Sequence, residues 1–304
     1  VAAMSQPAED AIGEVVSLWR YPVKSMMGEE LNAAEVGKRG LLGDRAYALL
    51  DASDGRIASA KNPRKWPEMF QYRAAFVEPP HSGAKMPAVR VTLPDGTVFA
   101  SDEANLQESL SRALGRKVTL ASAESSRERQ AEEYWPDIDG LDYRETVTDF
   151  DLPDGTFFDC AVIHVLATAT LDRLRELYPQ GRFEVRRFRP NVVVETFEHV
   201  KDFVEDTWIG QTLRVGDEVR LAVTGPCPRC VMITLDQGDL PRDPGILRTA
   251  AQTMRSMSVC TPPYCGAGGS AAVTPSGWSP GPRQSRLDHR ADQRKISAMW
   301  SPAR

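Results

Sequence analysis

The chain of 304 residues is 41% hydrophobic and 26% charged, with a formal net charge of -5, the composition of a globular protein long enough for one large core or two modest ones. No apolar run approaches the roughly 18 residues a membrane span needs, and the negative balance argues against a broad nucleic-acid surface, which draws on a basic face to neutralise phosphates; neither a membrane nor a nucleic acid is expected as a partner. The opening VAAMSQPAEDAIG lacks the basic and apolar regions of a secretory signal, so a cytoplasmic location is expected, and five cysteines then point to thiols rather than disulfides.

From Gly13 to about Val77, short apolar runs alternate with turn residues, the pattern of strands joined by tight turns. DASDG (Asp51 to Gly55) and LPDGTVFAS (Leu93 to Ser101) each carry the Asp-Gly chemistry of a hairpin. DEANLQESLSRAL (Asp102 to Leu114) spaces Leu106, Leu110 and Leu114 as one face of a short helix. The polar, acidic stretch that follows, residues 121–142, reads as a linker or loop. A strand over Ala161 to Leu166 then runs into a helix that Thr168 or Thr170 would cap, with Leu171, Leu174 and Leu177 on one face. RFRPNVVVET places a strand just after a proline, and WIGQTLRVGDEVRLAVTG adds two strands around a Gly216-Asp217 turn. Beyond about Gln252 the composition shifts to Gly, Pro, Ser and Arg without apolar period, and residues 256–304 read as an aberrant, disordered or frameshifted tail.

Two of the five cysteines stand in TGPCPRCVMITLD (Thr224 to Asp236). A zinc site built on Cys227 and Cys230 needs two further ligands at finger-like spacing. The histidines (His81, His164, His199, His289) are scattered singly, and Cys260 and Cys265 are spaced C-x4-C in the tail. A dithiol redox pair belongs where a strand passes into a helix, whereas CVMITLD reads as a loop feeding a strand. A plant-type iron-sulfur centre needs C-x4-C-x2-C, of which the tail holds the first half. Two readings stay open on the residues alone: a single soft metal ligand whose thiolate Arg229 favours, and a buried structural cysteine. YPVKS (Tyr21 to Ser25), GDRAY (Gly43 to Tyr47) and RFRPN (Arg187 to Asn191) are each as readily solvated charged turns as anion contacts.

Taken in order, YPVKS, GDRAY, HVLATATL, RFRPN, FVEDTWIGQTLRVGD and PCPRCVMITLD resemble the molybdenum cofactor sulfurase C-terminal domain family, MOSC, in the branch that carries an extra N-terminal β-barrel. The resemblance spans about Gly13 to Gln252. It implies an α+β, β-rich fold in which a MOSC-type β-barrel domain (143–255) packs with a smaller N-terminal β-barrel-like domain (13–120). It implies molybdenum cofactor (Mo-molybdopterin) with Cys230 as the protein ligand to the metal and catalytic centre, and Cys227 as a bystander. By the same resemblance Lys24 and Ser25 hold the cofactor phosphate and Arg45 makes another anion contact. Arg189 and Asn191 lie at the pterin, Arg229 is the neighbour of the thiolate, and Thr168 and Thr170 stand at a hydroxyl-rich strand-to-helix turn.

The implied activity is two-electron reduction of small N-hydroxylated substrates by oxygen-atom transfer. No flavin or haem motif appears in the chain, so an external electron-donor protein of reductase, ferredoxin or cytochrome type is implied. Two alternatives belong to other classes: a sulfur carrier using a cysteine persulfide, and a non-catalytic module that binds the cofactor. Members of this family close with a strand, a Gly-Asp turn and a strand, an ending the tail is not expected to supply.

One permitted codon choice for Ser256 to Ser279, read from the third base of each codon, encodes a strand, a turn and a second strand that echo LRVGDEVRL (Leu213 to Leu221). The tail is therefore expected to be a frameshifted reading of the lost ending. The gene sequence checks this directly. A chain carrying the alternate ending is expected to give more soluble protein and more bound molybdenum; equal loading of the two chains would count against it.

Overall fold

A computed structural model describes residues 11–253 except 129, 140, 142, 154 and 198–200, together with the backbone of 258–261, 271–273 and 278–280. Strand β1 (Gly13–Arg20) buries Val15 and Leu18 in one core; three apart, they reach it because the register shifts between Val15 and Ser17, the local break in alternation that a bulge makes. It pairs back on β2 (Glu29–Leu31), while β3 (Ala34–Gly37) and β4 (Gly40–Leu41) form their own small hairpin. Strand β5 (Tyr47–Asp51) is followed by the meander β6 (Arg73–Phe76), β7 (Val89–Thr92) and β8 (Val98–Ala100). The Asp-Gly turn expected between the last two is present, with Gly96 at φ 85°, a conformation that favours glycine. Helix α1 (Leu106–Ala113) buries Leu106 and Leu110, and β9 (Val118–Ser122) closes the region by pairing with β5.

The stretch read as a linker contains a strand. β10 (Gln130–Trp135) pairs along its whole length with β11 (Thr146–Asp151). Its buried positions are Ala131, Glu133 and Tyr134, and a glutamate among them masks the apolar alternation. Glu133 is tolerated there because Lys61 lies 3.3 Å away, and a buried carboxylate persists only when paired.

Strand β12 (Ile163–Ala167), buried throughout, runs parallel to β13 (Val192–Thr196). A parallel pair needs a crossover, and α2 (Thr168–Leu177) with the single turn α3 (Val185–Phe188) supplies it. Neither threonine caps α2: its N-cap is Ala167, without a side-chain cap. Glu205 does this work from outside, accepting from Ala167 N at 2.7 Å and from the Thr170 hydroxyl. Leu171 and Leu174 are buried but Leu177 is exposed, so the apolar face stops a turn short of expectation. Strands β14 (Thr212–Val215) and β15 (Val219–Pro226) form the expected hairpin, with Gly216 at φ 60°.

The segment after Cys230 is not a strand. Val231–Thr234 is a short 3-10 turn. In a strand Val231, Ile233 and Leu235 would share one face. Here Val231 and Leu235 enter the core formed with Met26, Trp66, Phe70 and Val91, while Ile233 enters the one formed by Leu171, Leu174 and Ile246. Serving two cores makes the backbone turn. Helix α4 (Pro244–Thr253) then packs Ile246, Leu247 and Ala250 inward, its proline at the helix start where a missing N–H costs nothing.

Three pieces of the tail are strands: β16 (Ser258–Thr261), β17 (Ala271–Val273) and β18 (Trp278–Pro280). β16 lies between β12 and β15, β17 pairs with β3, and β18 with β14. The expectation that this ending cannot fill strand positions is corrected on these segments. Backbone N–H and C=O groups along an open edge pair with any extended chain, so the slots need no apolar pattern. The remaining residues of 256–304 lie outside the described residues.

The large sheet runs β13-β12-β16-β15-β14-β18-β1-β2, and β1 pairs again with β13. β1 meets β18 through the single pair Gly13↔Trp278, so the ring is not sealed by a continuous ladder. Among the described residues no helix is long and apolar enough to cross a membrane.

Arg187 holds the turn after Cys230 in place. It is 1% exposed and donates to the carbonyls of Arg182 (2.9 Å), Ile233 (3.1 Å), Leu235 (3.0 Å) and Pro241 (2.7 Å). Arg187→Leu strips these buried acceptors of their donor and is expected to cost on the order of 3 kcal/mol or more, seen as a lower urea midpoint with unchanged slope.

Candidate functional site

The chain leaves β1 at Tyr21 and enters a tight loop whose backbone is held from two sides. Tyr21 N donates to Asp44 Oδ1 at 2.8 Å, and Lys24 N donates to the Tyr47 carbonyl at 2.8 Å. Ser25 adopts φ 64° and its Oγ accepts from Ala60 N at 3.0 Å. Lys24 Nζ is thereby aimed at the segment before β12, where it donates to Phe157 O (2.9 Å) and Asp159 Oδ1 (2.5 Å). Asp159 also faces Lys61 Nζ at 3.7 Å. Burial alone would raise the Asp159 carboxyl, but Lys24 and Lys61 outweigh it and hold the group below the usual carboxylate range. Burial pulls Lys24 down from the usual lysine value, against Asp159, and Lys61 and Arg45 add to the fall.

A second set of cations gathers over Tyr21. Arg45 pairs with Asp44 and lies over the Tyr21 ring at 4.5 Å, while Arg189 lies over the same ring at 4.1 Å and over Phe70 at 5.2 Å. Such stacking is favourable for guanidinium. Burial lowers Arg189 to about 10, with Tyr21 opposing and Arg45 adding to it. Arg189 ends α3 in the left-handed region at φ 54°, and Arg45 sits at φ 47°. Ser25, Arg45 and Arg189 are three of the five non-glycine residues at positive φ among those described. Left-handed backbone at side-chain-bearing residues persists where surrounding structure enforces it, and clusters at functional sites.

The thiols lie alongside. Cys227, Arg229 and Cys230 are half-buried, and Cys160 is exposed. Burial pushes Cys230 up to about 11, opposed chiefly by Lys61 and reinforced by Glu133 and Asp159. Burial pushes Cys227 up to about 12, opposed by Arg229. Burial likewise raises Cys160, with Lys61 opposing. The three thiols lie within electrostatic reach of Lys61, Cys160 and Cys227 also within that of Arg229, and Cys160 and Cys230 within that of Asp159. We refer to this cluster with Lys24, Arg45 and Arg189 as the recess. Arg229 Nε donates to Cys227 O at 2.8 Å and Nη1 to Phe188 O at 3.5 Å. Its Nη2 is buried without a partner, as are Arg189 Nη1 and His164 Nε2.

The motif residues therefore converge in part. Lys24, Ser25, Arg45, Arg189, Arg229 and Cys230 meet around Tyr21 and Asp159. Asn191 stands beneath them, already committed: its Nδ2 donates to Trp19 O (3.2 Å) and Asp44 Oδ2 (2.9 Å), and its Oδ1 accepts from His164 N (3.1 Å). Thr170 is not brought to the recess, because its buried hydroxyl donates to Glu205. Thr168 opens α2, half-buried. Sequence reasoning missed Asp44, Lys61, Glu133, Asp159 and His164. A lone histidine inside the apolar run of β12 was the one local signal among them.

Residues 12–135 match the family described as MOSC N-terminal beta barrel domain, and residues 153–273 match the family described as MOSC domain. Among curated proteins the chain is similar to mitochondrial amidoxime reducing component 2 of Bos taurus, 26% identical over 275 residues covering 83% of this chain and 74% of that one. The Homo sapiens protein of the same name is 24% identical over 278 residues, with 83% and 74% covered. Molybdenum cofactor sulfurase of Bos taurus is 23% identical over 243 residues, 73% of this chain and 27% of that one.

With its thiol pushed up to about 11, Cys230 in the cofactor-free protein is expected to be alkylated at pH 8 about a hundredfold more slowly than an ordinary cysteine, because only thiolate reacts. The rate should climb with pH toward that value. Lys61→Met removes the largest opposing charge and should slow it further; peptide mapping of iodoacetamide adducts reads both.

Proposed function

The chain belongs to the MOSC family, its MOSC domain preceded by the MOSC N-terminal beta barrel domain, and on that premise we propose that it is a molybdenum cofactor-dependent oxidoreductase that reduces N-hydroxylated small molecules with electrons from a partner protein. The observation that carries this reading is the set of donors in the recess that the protein itself leaves unused, Arg189 Nη1 and Arg229 Nη2, beside the half-buried thiol of Cys230. Buried N–H groups without partners are costly, so a bound acceptor belongs there. The relatives named amidoxime reducing component, aligned over most of their length, supply the class of substrate.

The residues fit such a cofactor. Five cations, Lys24, Arg45, Lys61, Arg189 and Arg229, face three carboxylates, Asp44, Glu133 and Asp159, leaving a positive surplus for an anion that carries a phosphate. Cys230 would be the protein's thiolate ligand to the metal of such a cofactor; among the described residues no three His, Cys, Asp or Glu side chains converge on a metal site of their own. When bound, the cofactor supplies oxygen-atom transfer and a two-electron redox centre. Cys230 supplies the thiolate, with Lys61 favouring its ionised form. Lys24 and Arg45 meet the phosphate, with Ser25 shaping the loop that presents Lys24. Arg189 and Arg229 meet the pterin. Asn191 acts by locking Arg45's partner Asp44 to β12, and Thr168 and Thr170 act through the strand-to-helix turn rather than by contact. Tyr21, Phe70 and Phe158 pack against the arginines and keep water from them.

A sulfur-carrier reading draws on one observation: Cys160 and Cys230 both lie within the electrostatic reach of Cys227. Metal analysis divides the two, since a carrier need not hold stoichiometric molybdenum. The decisive assay is turnover of an amidoxime with a reduced dye. Cys230→Ala is expected to lower it by about a hundredfold or more, while Cys227→Ala leaves it within about threefold. The reverse order, or turnover without molybdenum, overturns the assignment.

A further inference from the structure

Resting on that reading, we propose that in the cofactor-free chain the Asp159 carboxylate occupies the place of the cofactor's phosphate, and that Lys61 is a second lysine of that anion site beside Lys24. Lys24 follows β1, Lys61 lies between β5 and β6, and Asp159 precedes β12, so three distant parts of the chain meet here. The carboxylate stands between two ammonium groups: Oδ1 accepts from Lys24 Nζ at 2.5 Å, and Oδ2 faces Lys61 Nζ at 3.7 Å. Arg45 lies 5.9 Å over the ring of Phe158, the residue before Asp159. An oxyanion whose oxygens are divided between fixed cations is what a bound phosphate presents. Here the protein supplies one of its own.

How firmly each partner is held decides which one moves. Lys24 is tied by its backbone N to Tyr47 O at 2.8 Å, and its side chain is 6% exposed. Lys61 is clamped through both backbone groups: its N donates to Ser59 Oγ at 3.2 Å and its O accepts from Tyr134 N at 2.8 Å. Its ammonium lies 4.4 Å from the Phe150 ring centroid and 3.3 Å from the buried Glu133 carboxylate. Neither lysine needs Asp159 to stay where it is. Asp159 sits on a segment without regular secondary structure between β11 and β12, its side chain 35% exposed. Phe157 and Phe158 are buried and anchor that segment, so the carboxylate can turn away into water. Magnitudes favour the exchange. An ion pair with one partner open to water contributes little, and the approach to Lys61 is too long for a hydrogen bond. A phosphate brings more charge and three acceptor oxygens, and an ammonium has three N–H donors, so Lys61 can meet a phosphate oxygen without giving up Glu133.

The test titrates the full chain, made without cofactor, with inorganic phosphate in a calorimeter at constant ionic strength, because salt screens such contacts. Asp159→Asn is expected to bind phosphate about tenfold more tightly than wild type, since the internal competitor and its two ion pairs are gone. Lys61→Met is expected to weaken binding about fivefold in the wild-type chain and to erase most of the gain in Asp159→Asn. Lys65→Met, whose ammonium pairs instead with Asp51 and Asp54, is the control for loss of a nearby charge and should bind as wild type does. Unchanged or weaker binding by a folded Asp159→Asn chain makes the carboxylate a fixed brace for Lys24 and overturns the proposal. Should that variant fail to fold, the lysines decide: equal effects of Lys61→Met and Lys65→Met overturn it. Chains loaded in a cofactor-producing host are expected to take up no phosphate at this site, and uptake equal to that of the empty chain also overturns it. Any of these failures, with pterin still bound by wild type, leaves the functional reading intact. A gain in Asp159→Asn beside a wild type that never holds pterin keeps the anion site and sinks that reading.

Discussion

One buried carboxylate, Asp44, ties the recess to the sheet beneath it. Its side chain is fully buried, and its oxygens receive the Tyr21 amide, the Asn191 side chain and the Arg45 guanidinium. Tyr21 directly follows β1, Asn191 directly precedes β13, and Arg45 reaches the site. A carboxylate can be buried at this depth only when its lone pairs are filled, and each filler is a piece of the site or of the frame that carries it. Gly43 just before it adopts φ 83°, and a Cβ there would lie 2.5 Å from the Phe76 ring, so the turn that delivers Asp44 depends on glycine.

The electrostatics of the recess follow from this frame. Cations crowd together because their backbones are held rather than because their charges attract: Ser25, Arg45 and Arg189 all occupy left-handed conformations. Such crowding is unfavourable in isolation, and Asp44, Asp159 and Glu133 only partly neutralise it. Stability has been spent locally to keep donors facing inward, the pattern that separates a site from a core. The thiols register the same compromise, pushed upward by burial and pulled back by Lys61 and Arg229.

Features written in local chemistry were legible in the sequence. The Asp-Gly turn near Gly96 and the turn at Gly216, the face of α1 and the strand after Pro190 need nothing beyond neighbouring residues. Features that serve two distant partners were not. β10 hides its period because Glu133 is buried against Lys61, and Val231–Thr234 turns because its side chains feed two cores. β16 and β18 are placed by backbone pairing, which leaves no trace in composition. The same division holds at the site. Lys24, Arg45, Arg189 and Cys230 stand in compact motifs, whereas Lys61, Asp159 and His164 stand alone in sequence and acquire meaning only where the chain returns to them.

Strand β1 lies within the segment matching the N-terminal domain, yet its ladder is with β13 of the other. The bond from Asn191 to Trp19 that accompanies this pairing spans 172 positions. During synthesis β1 emerges before β13 and must wait, one edge unsatisfied, until the residues that separate the two strands have followed. Closing so long a loop is slow, and neither half is a finished module that could be cut free at the connection between them. Tyr21 and Lys24 follow directly on this waiting strand, so the recess is assembled late, and delivery of any cofactor must come after the second half has left the ribosome.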